Sequence, residues 1–310
     1  MEENKNISKK INLTKSIDDQ IEKELAIILN KTENTVTKSI LVLSGGGIKG
    51  ISHIGAIKAL DELGILKNIK TIAGSSVGAL VGCLVNIGYK PNELYNFITL
   101  FDFTKMKSFK PDNILVNYGL DDGKNTMLVL TKLFVARKID PDISFYKLYK
   151  KTGKTLIVTS SCINDKKIYY FSHEKYPDMK VLQAIRMSIS IPIYFAPVMY
   201  ENKMFIDGGC IDNFPIQIFK DNLDAVIGIY VTSLRDNIDN INNIEIFLLN
   251  MIQCLFEGVT CNSLKGFEKQ SIKIQLDSKD SMQLSLSADK KKELFMKGYN
   301  TVLEYFNKKN

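Results

Sequence analysis

A chain of 310 residues with 45% apolar and 24% charged residues is an ordinary globular composition, which excludes disordered and fibrous classes. Its 41 Lys and Arg against 34 Asp and Glu give a formal charge of +7, but the basic residues are scattered in short runs such as 290–292, so no nucleic-acid footprint is present. Five cysteines (Cys83, Cys162, Cys210, Cys254, Cys261) without a CxxC pair argue for free thiols in a reducing compartment, and against a disulfide framework or a zinc site.

In chain order, residues 1–37 are polar and hold one amphipathic candidate helix at 16–30, with Ile17, Ile21, Leu25 and Ile28 on one face and Ser16 as N-cap. Met1-Glu2-Glu3 lacks the basic start and apolar core of a secretory signal, so a cytoplasmic protein is expected, with peripheral membrane association allowed. A single α/β domain over 38–310 should follow.

The pattern predicts a short strand at 40–43, a helix at 51–63 closed by Gly64, a strand at 71–73 and a helix to about Ile87. The stretch from Lys70 to Lys90 carries no charge and spaces Gly74, Gly78 and Gly82 four apart, as a marginal membrane span would. Buried parallel strands followed by buried helices produce the same uncharged runs, and Ser75, Ser76 and Asn86 favour that reading. Pro91 opens a further helix. Residues 101–123 read as irregular, with Phe103, Met106 and Phe109 suggesting an apolar, membrane-facing flap or a packed connection.

A helix ends near Ala136. Residues 155–163 and 168–171 form a hairpin across Asn164-Asp165-Lys166-Lys167. A helix at 181–190 stopped by Pro192, strands at 204–206, 225–231 and 272–276, and helices at 244–267 and 288–306 complete the order, with 236–243 as a surface loop. Strands alternating with helices imply a three-layer α/β/α fold around a central, mostly parallel sheet, with chemistry gathered at the carboxyl ends of its strands.

Three glycine-marked segments lie at such ends. The first, GSSVG at 74–78, has the Gly-x-Ser-x-Gly spacing of a nucleophile elbow, whose flanking glycines Gly74 and Gly78 let the backbone cross itself and present the central Ser76. Chance alone yields about 0.1 such matches in a chain this long, so the strand before it and the small-residue helix after it carry the weight.

The second, GGGIKG at 45–50, aims backbone N–H groups at one point where negative charge gathers, either a phosphate or the oxyanion of acyl transfer. Gly45-x-Gly47-x-x-Gly50 also fits the dinucleotide fingerprint, but no acidic residue ends the second strand, so that reading lacks its partner.

The third is Asp207-Gly208-Gly209, either a simple Asp-Gly turn or a carboxylate held where another loop can reach it. A serine hydroxyl needs an adjacent base. Of the two histidines, His53 sits one turn into a helix, where packing is expected, and His173 has no identifiable acid partner. Asp207 is the best-placed base. No HExxH or clustered ligand pattern occurs, and neither metal nor cofactor is expected.

These blocks resemble the patatin-like phospholipases, lipid acyl hydrolases that use a Ser-Asp dyad. SGGGIKGISHIGAIKAL at 44–60 is similar to their oxyanion loop and following helix, GSSVGAL at 74–80 to their elbow, AIRMSISIPIYFAPV at 184–198 to the segment before the acid, and DGGCIDNFP at 207–215 to the acid block. The resemblance covers about 38–235 with the blocks in order. It departs at Lys49, where the family usually has Arg, and at Phe214, where Asn is common.

The resemblance implies Ser76 as nucleophile and Asp207 as base. It implies an oxyanion hole from Gly45, Gly46, Gly47, Lys49 and Gly50, with Gly208 and Gly209 shaping the base loop. It also implies calcium-independent cleavage of phospholipid or another acyl ester, with transient contact to a membrane surface. An esterase or thioesterase acting on soluble esters, and a non-catalytic lipid-binding protein of the same fold, are the competing readings. Head group, acyl position, chain length and oligomeric state are not written in the sequence.

Overall fold

Four consecutive apolar residues, Ile40–Leu43, form β1, and all four are buried. Their side chains alternate between two cores. Leu41 and Leu43 join the larger one with Ile57, Leu60 and Ile72, whereas Ile40 and Val42 join a second one with Ala73, Phe214 and Ile216. A strand buried on both faces is what a sheet covered by helices on either side requires. A computed structural model describes residues 37–106, 108, 112–233, 241, 244–276 and 286–309. The candidate helix at 16–30, Phe109 and most of the 236–243 loop lie outside these described residues.

Beyond β1 the strands are β2 (Thr71–Gly74), β3 (Gly119–Asp121), β4 (Thr155–Cys162), β5 (Lys167–Phe171), β6 (Ile193–Phe195), β7 (Val198–Tyr200), β8 (Lys203–Asp207), β9 (Val226–Ser233) and β10 (Ser271–Leu276). The main sheet runs β10-β9-β1-β2-β4-β8-β7, with β5 also paired to β4. From β10 to β4 every pairing is parallel, while β5 and β8 run antiparallel to β4 and β7 antiparallel to β8. This is the mostly parallel, helix-flanked sheet expected from the alternation of strands and helices.

The register fixes where the site must lie. Leu43 pairs with Gly74, so the turns after β1 and β2 leave the sheet side by side. Ser160 pairs with Asp207, so the antiparallel β8 delivers its last residue to the same end of the sheet as those turns. The helix Val77–Asn86 follows β2 directly, and the helix Ile51–Glu62 follows a single 3-10 turn, Gly47–Gly50.

Several elements depart from the sequence reading. The supposedly irregular 101–123 contains a 3-10 turn (Phe103–Met106), a short helix (Asn113–Asn117) and β3. β3 pairs in parallel with β6, Gly119 with Ile193 and Asp121 with Phe195, as a separate two-stranded sheet. The helix Phe145–Thr152 was not anticipated, although Ser144 caps it by accepting the Lys147 N–H and Gly153 ends it in a left-handed conformation. The helix Val181–Ser188 stops two residues earlier than expected.

Candidate active site

Ser76 sits where β2 turns into its helix, with φ 52 and ψ −126. A serine rarely adopts a positive φ, and one held there by its surroundings marks a constrained turn. The constraint is visible in Gly78: a Cβ at that position would lie 2.5 Å from both the Leu43 and Ser44 carbonyl oxygens. The elbow and the glycine turn after β1 are therefore packed backbone against backbone, and the Ser75 N–H donates to the Leu43 carbonyl at 3.2 Å.

Gly45 meets a different neighbour. A Cβ there would stand 2.1 Å from Asn213 Oδ1 and 3.2 Å from Ser76 Cβ. The Gly45 N–H donates to the Asn213 carbonyl, and the Lys49 N–H to the Gly46 carbonyl. Gly50 lies against Val77, and Lys49 is buried.

The base loop comes from β8. Asp207 ends that strand, and its Oδ1 accepts the Gly209 N–H at 2.7 Å. Gly208 lies against the Thr159 and Ser75 hydroxyls, and Gly209 against Asn213 Oδ1. Asn213 thus wedges between the loops at 45 and 209. Its Nδ2 donates to Thr260 Oγ1, whose own proton goes to the Phe256 carbonyl.

Ser76 and Asp207, 131 residues apart, meet: the serine Oγ donates to Asp207 Oδ2 at 2.6 Å. Both side chains are buried. Burial pushes the Asp207 carboxyl up to about 7, opposed by the hydrogen bonds from Ser76 and the Gly209 amide. A carboxylate whose pKa lies near neutrality can hold its proton-accepting form at physiological pH and still be basic enough to take a hydroxyl proton.

The histidines stand apart from this pair. His53 is buried and donates from Nε2 to the Ser44 carbonyl at 2.8 Å, which braces the base of the glycine turn. Burial lowers its pKa to about 4, so the ring is neutral near pH 7. His173 stacks on Tyr149, with centroids 3.8 Å apart, and lines neither cavity that reaches Ser76.

Two cavities open on the serine. One, of about 290 Å³, is lined by Ile54, Leu80, Phe97, Leu130 and Phe195 among other apolar residues. The other, of about 250 Å³, is more polar, with Lys49, Asn213, Tyr230, Gln253, Glu257 and Lys273 on its walls. Phe103 and Met106, two residues of the suggested flap, line the apolar cavity.

Sequence reasoning missed Asn213 and Ser188, although both lie in segments it had singled out. Ser188 Oγ accepts the Ser76 N–H at 2.9 Å. It missed Asp121 as well, a buried carboxylate on the wall of the apolar cavity that accepts the Gly123 and Ser108 N–H groups. The Asx spacing of Asp121 and Gly123 was the one legible signal of that turn.

Comparison with known proteins agrees with this architecture. The model of the patatin-like phospholipase family matches residues 41–220. A probable lipid hydrolase of Invertebrate iridescent virus 6 is 32% identical over 257 residues, covering 75% of this chain and 87% of the relative. The chain belongs to the patatin-like phospholipase family. A lysophospholipase of Aspergillus fumigatus is 28% identical over 64% of this chain, although that match spans 12% of the fungal protein. Among solved structures, VipD from Legionella pneumophila superposes with a TM-score of 0.62 at 18% identity, covering 88% of this chain and 67% of the other.

Proposed function

We propose that the protein is a serine-dependent lipid acyl hydrolase that releases fatty acid from phospholipid through an acyl-enzyme on Ser76. The observation that carries the reading is the 2.6 Å hydrogen bond from the Ser76 hydroxyl to the buried Asp207 carboxylate, directly beside the glycine turn. In this mechanism Asp207 takes the serine proton as Oγ attacks the ester carbonyl. The amides of Gly46 and Gly47 stabilise the oxyanion, because those of Gly45 and Lys49 are already taken up by backbone carbonyls. Lys49 then shapes the turn rather than donates its amide from it.

Collapse of the tetrahedral intermediate expels the alcohol, which leaves with the proton from Asp207. Water enters, loses a proton to Asp207 and attacks the acyl carbonyl; the fatty acid then leaves as Asp207 returns that proton to Ser76 Oγ. The apolar cavity suits the acyl chain, and the polar one suits the alcohol portion. The steps draw on Ser76, Asp207 and backbone amides, and turnover in EDTA at the wild-type rate is the expected outcome. The lipid-hydrolase and lysophospholipase relatives support a lipid ester as substrate.

The protein would act at a lipid surface. Among the described residues no helix is long and apolar enough to cross a membrane. Viral relatives, from the iridescent virus and from Acanthamoeba polyphaga mimivirus, support a host-cell setting, and we assign the protein to the cytoplasm with transient membrane contact.

The test is fatty-acid release from phosphatidylcholine vesicles in the presence of EDTA, with Ser76→Ala and Asp207→Asn beside the wild type and short-chain nitrophenyl esters in parallel. Release by the wild type alone is expected. Equal release by both variants overturns the mechanism. Turnover of nitrophenyl esters alone makes the protein an esterase for soluble substrates, and no turnover of either makes it a binding protein.

A further inference from the structure

The segment 186–190 has no part in the chemistry above, yet it touches both members of the pair. Ser188, the last residue of its helix and fully buried, accepts the Ser76 N–H on its Oγ at 2.9 Å. Two residues on, the Ser190 carbonyl accepts the Asp207 N–H at 2.8 Å. Residues 131 apart in sequence are thus pinned through their backbone N–H groups by one short turn, one to a side-chain hydroxyl and one to a carbonyl.

The turn is itself anchored. Arg186 donates from Nη1 to Ser190 Oγ at 2.5 Å, and that hydroxyl donates to the Arg186 carbonyl at 2.7 Å. Nη2 of the same guanidinium reaches the Ala196 carbonyl at 2.9 Å and the Asp122 carbonyl at 3.2 Å. Its charged plane also lies over the Phe195 ring, 5.2 Å from the centroid. Asp122 follows β3 and Ala196 follows β6, the two strands of the small sheet whose Asp121 and Phe195 wall the apolar cavity. Gly123 makes room for the guanidinium, since a Cβ there would stand 2.3 Å from Arg186 Nε.

We propose that residues 186–190 form a bracket that sets the geometry of the Ser76–Asp207 pair, with Ser188 as a positioning residue and Arg186 coupling the bracket to the wall of the acyl cavity. The inference rests on the acyl-hydrolase reading. Ser76 is held at a positive φ, a conformation that relaxes unless its surroundings fix it, and Ser188 supplies a fixed acceptor for the amide at that position. With this amide engaged, the Ser76 N–H is withdrawn from the oxyanion, which leaves that task to the glycine turn. Arg186 carries the second half of the claim: an acyl chain that presses on Phe195 acts on the same guanidinium that orders Ser190, and Ser190 holds Asp207.

The test uses the purified full chain with Ser188→Ala and Ser188→Cys. Alanine leaves the site slightly underfilled and cysteine slightly overfills it, and neither is a good acceptor, so a loss shared by both marks the hydrogen bond rather than the packing. Both variants are expected to lose roughly tenfold to a hundredfold in kcat on a short nitrophenyl ester, the range for a reacting group displaced by about an ångström, with KM within about twofold. Labelling of Ser76 by a fluorophosphonate should slow in parallel.

Wild-type kcat in either variant overturns the role of Ser188. Should neither variant fold, hydrogen exchange at the Ser76 amide of the wild type decides: protection is expected, and exchange at the rate of an exposed loop overturns the proposal. For Arg186→Lys, KM should rise more for a long-chain ester than for a short one, and an equal rise for both overturns the coupling. An inactive wild type that resists labelling would sink the hydrolase reading itself. An active wild type, a dead Ser76→Ala and an unimpaired Ser188→Ala would sink the bracket alone.

Discussion

The two sides of the apolar cavity are built on different principles. The floor, where β1, β2 and β8 deliver the residues 45–50, 76 and 207, is tightly packed at its glycines: a Cβ would stand 2.5 Å from backbone at Gly74 and Gly78, and 2.1 to 2.2 Å from a side chain at Gly45, Gly50 and Gly208. The opposite wall, from β3, β6 and the segment 97–106, is made of apolar side chains such as Phe97, Phe103 and Phe195. Leu100, Leu115 and Val116, on or beside that segment, are largely exposed. A floor packed this closely tolerates almost no change of residue. A wall made of side chains can be reshaped without moving the chemistry.

Substitutions on the floor should therefore cost the most. Asp207→Asn is expected to lower kcat on any ester by about ten-thousandfold to a millionfold, the span seen when a serine hydrolase loses one of the groups that activate its nucleophile. The same variant should melt higher than wild type above pH 7. The folded carboxyl, near 7, lies above its unfolded value of about 4, so ionising it costs stability as pH rises through that interval, and an amide escapes the cost. A melting curve for Asp207→Asn that tracks the wild type at every pH would contradict the buried-carboxylate account.

Gly45→Ala comes next. Its methyl would push Asn213 Oδ1 and crowd Ser76 Cβ, so a loss of about a hundredfold with a lowered Tm is expected, measured by the nitrophenyl ester rate and a thermal melt. Retention of full activity would show that the floor yields more than its contacts suggest.

The pH profile sharpens the same point. Asp207 must be ionised to act, so kcat/KM should reach its plateau above about pH 8 and fall tenfold per unit below pH 7. His53 sets a separate limit on the fold. Its folded pKa of about 4 lies below the usual 6.5, so stability is lost as pH falls from about 6.5 toward 4. Activity measured below pH 5 should therefore be checked by circular dichroism, to separate protonation of the base from unfolding.

The opposite wall should give the smallest effects. Phe103→Ala, in the cavity lining, is expected to change KM for long-chain esters by roughly threefold to tenfold, within the range for a few buried methylenes, and to leave short-chain kcat unchanged. A large fall in short-chain kcat would erase the distinction between floor and wall.

The same contrast explains what could be read in advance. Gly74 and Gly78 were legible because close backbone approach admits no other residue, and Gly45 because the Asn213 side chain leaves no room for a Cβ, so the requirement is written as spacing. The alternation of strands and helices carried the parallel sheet, because strands buried on both faces must be apolar throughout, as Ile40–Leu43 is. The small sheet was not legible. Strands of three residues carry no period, and their pairing joins Gly119 to Ile193 across the chain. Ser188 was hidden for another reason: a serine at a helix end reads as ordinary, and nothing local tells that its hydroxyl meets an amide 112 residues away. The helix Phe145–Thr152 was overlooked despite legible ends in Ser144 and Gly153.

The claim on which all of this depends is that Ser76 is the nucleophile and Asp207 its base. Intact mass and peptide mapping after treatment with a fluorophosphonate test it most directly. The account predicts a single adduct on the peptide that carries Ser76, formed faster as pH rises through about 7 and abolished or slowed at least a hundredfold in Asp207→Asn, within the scale for loss of a serine's base. An adduct on another residue, or labelling of Ser76 that proceeds equally well without the Asp207 carboxylate, would contradict it.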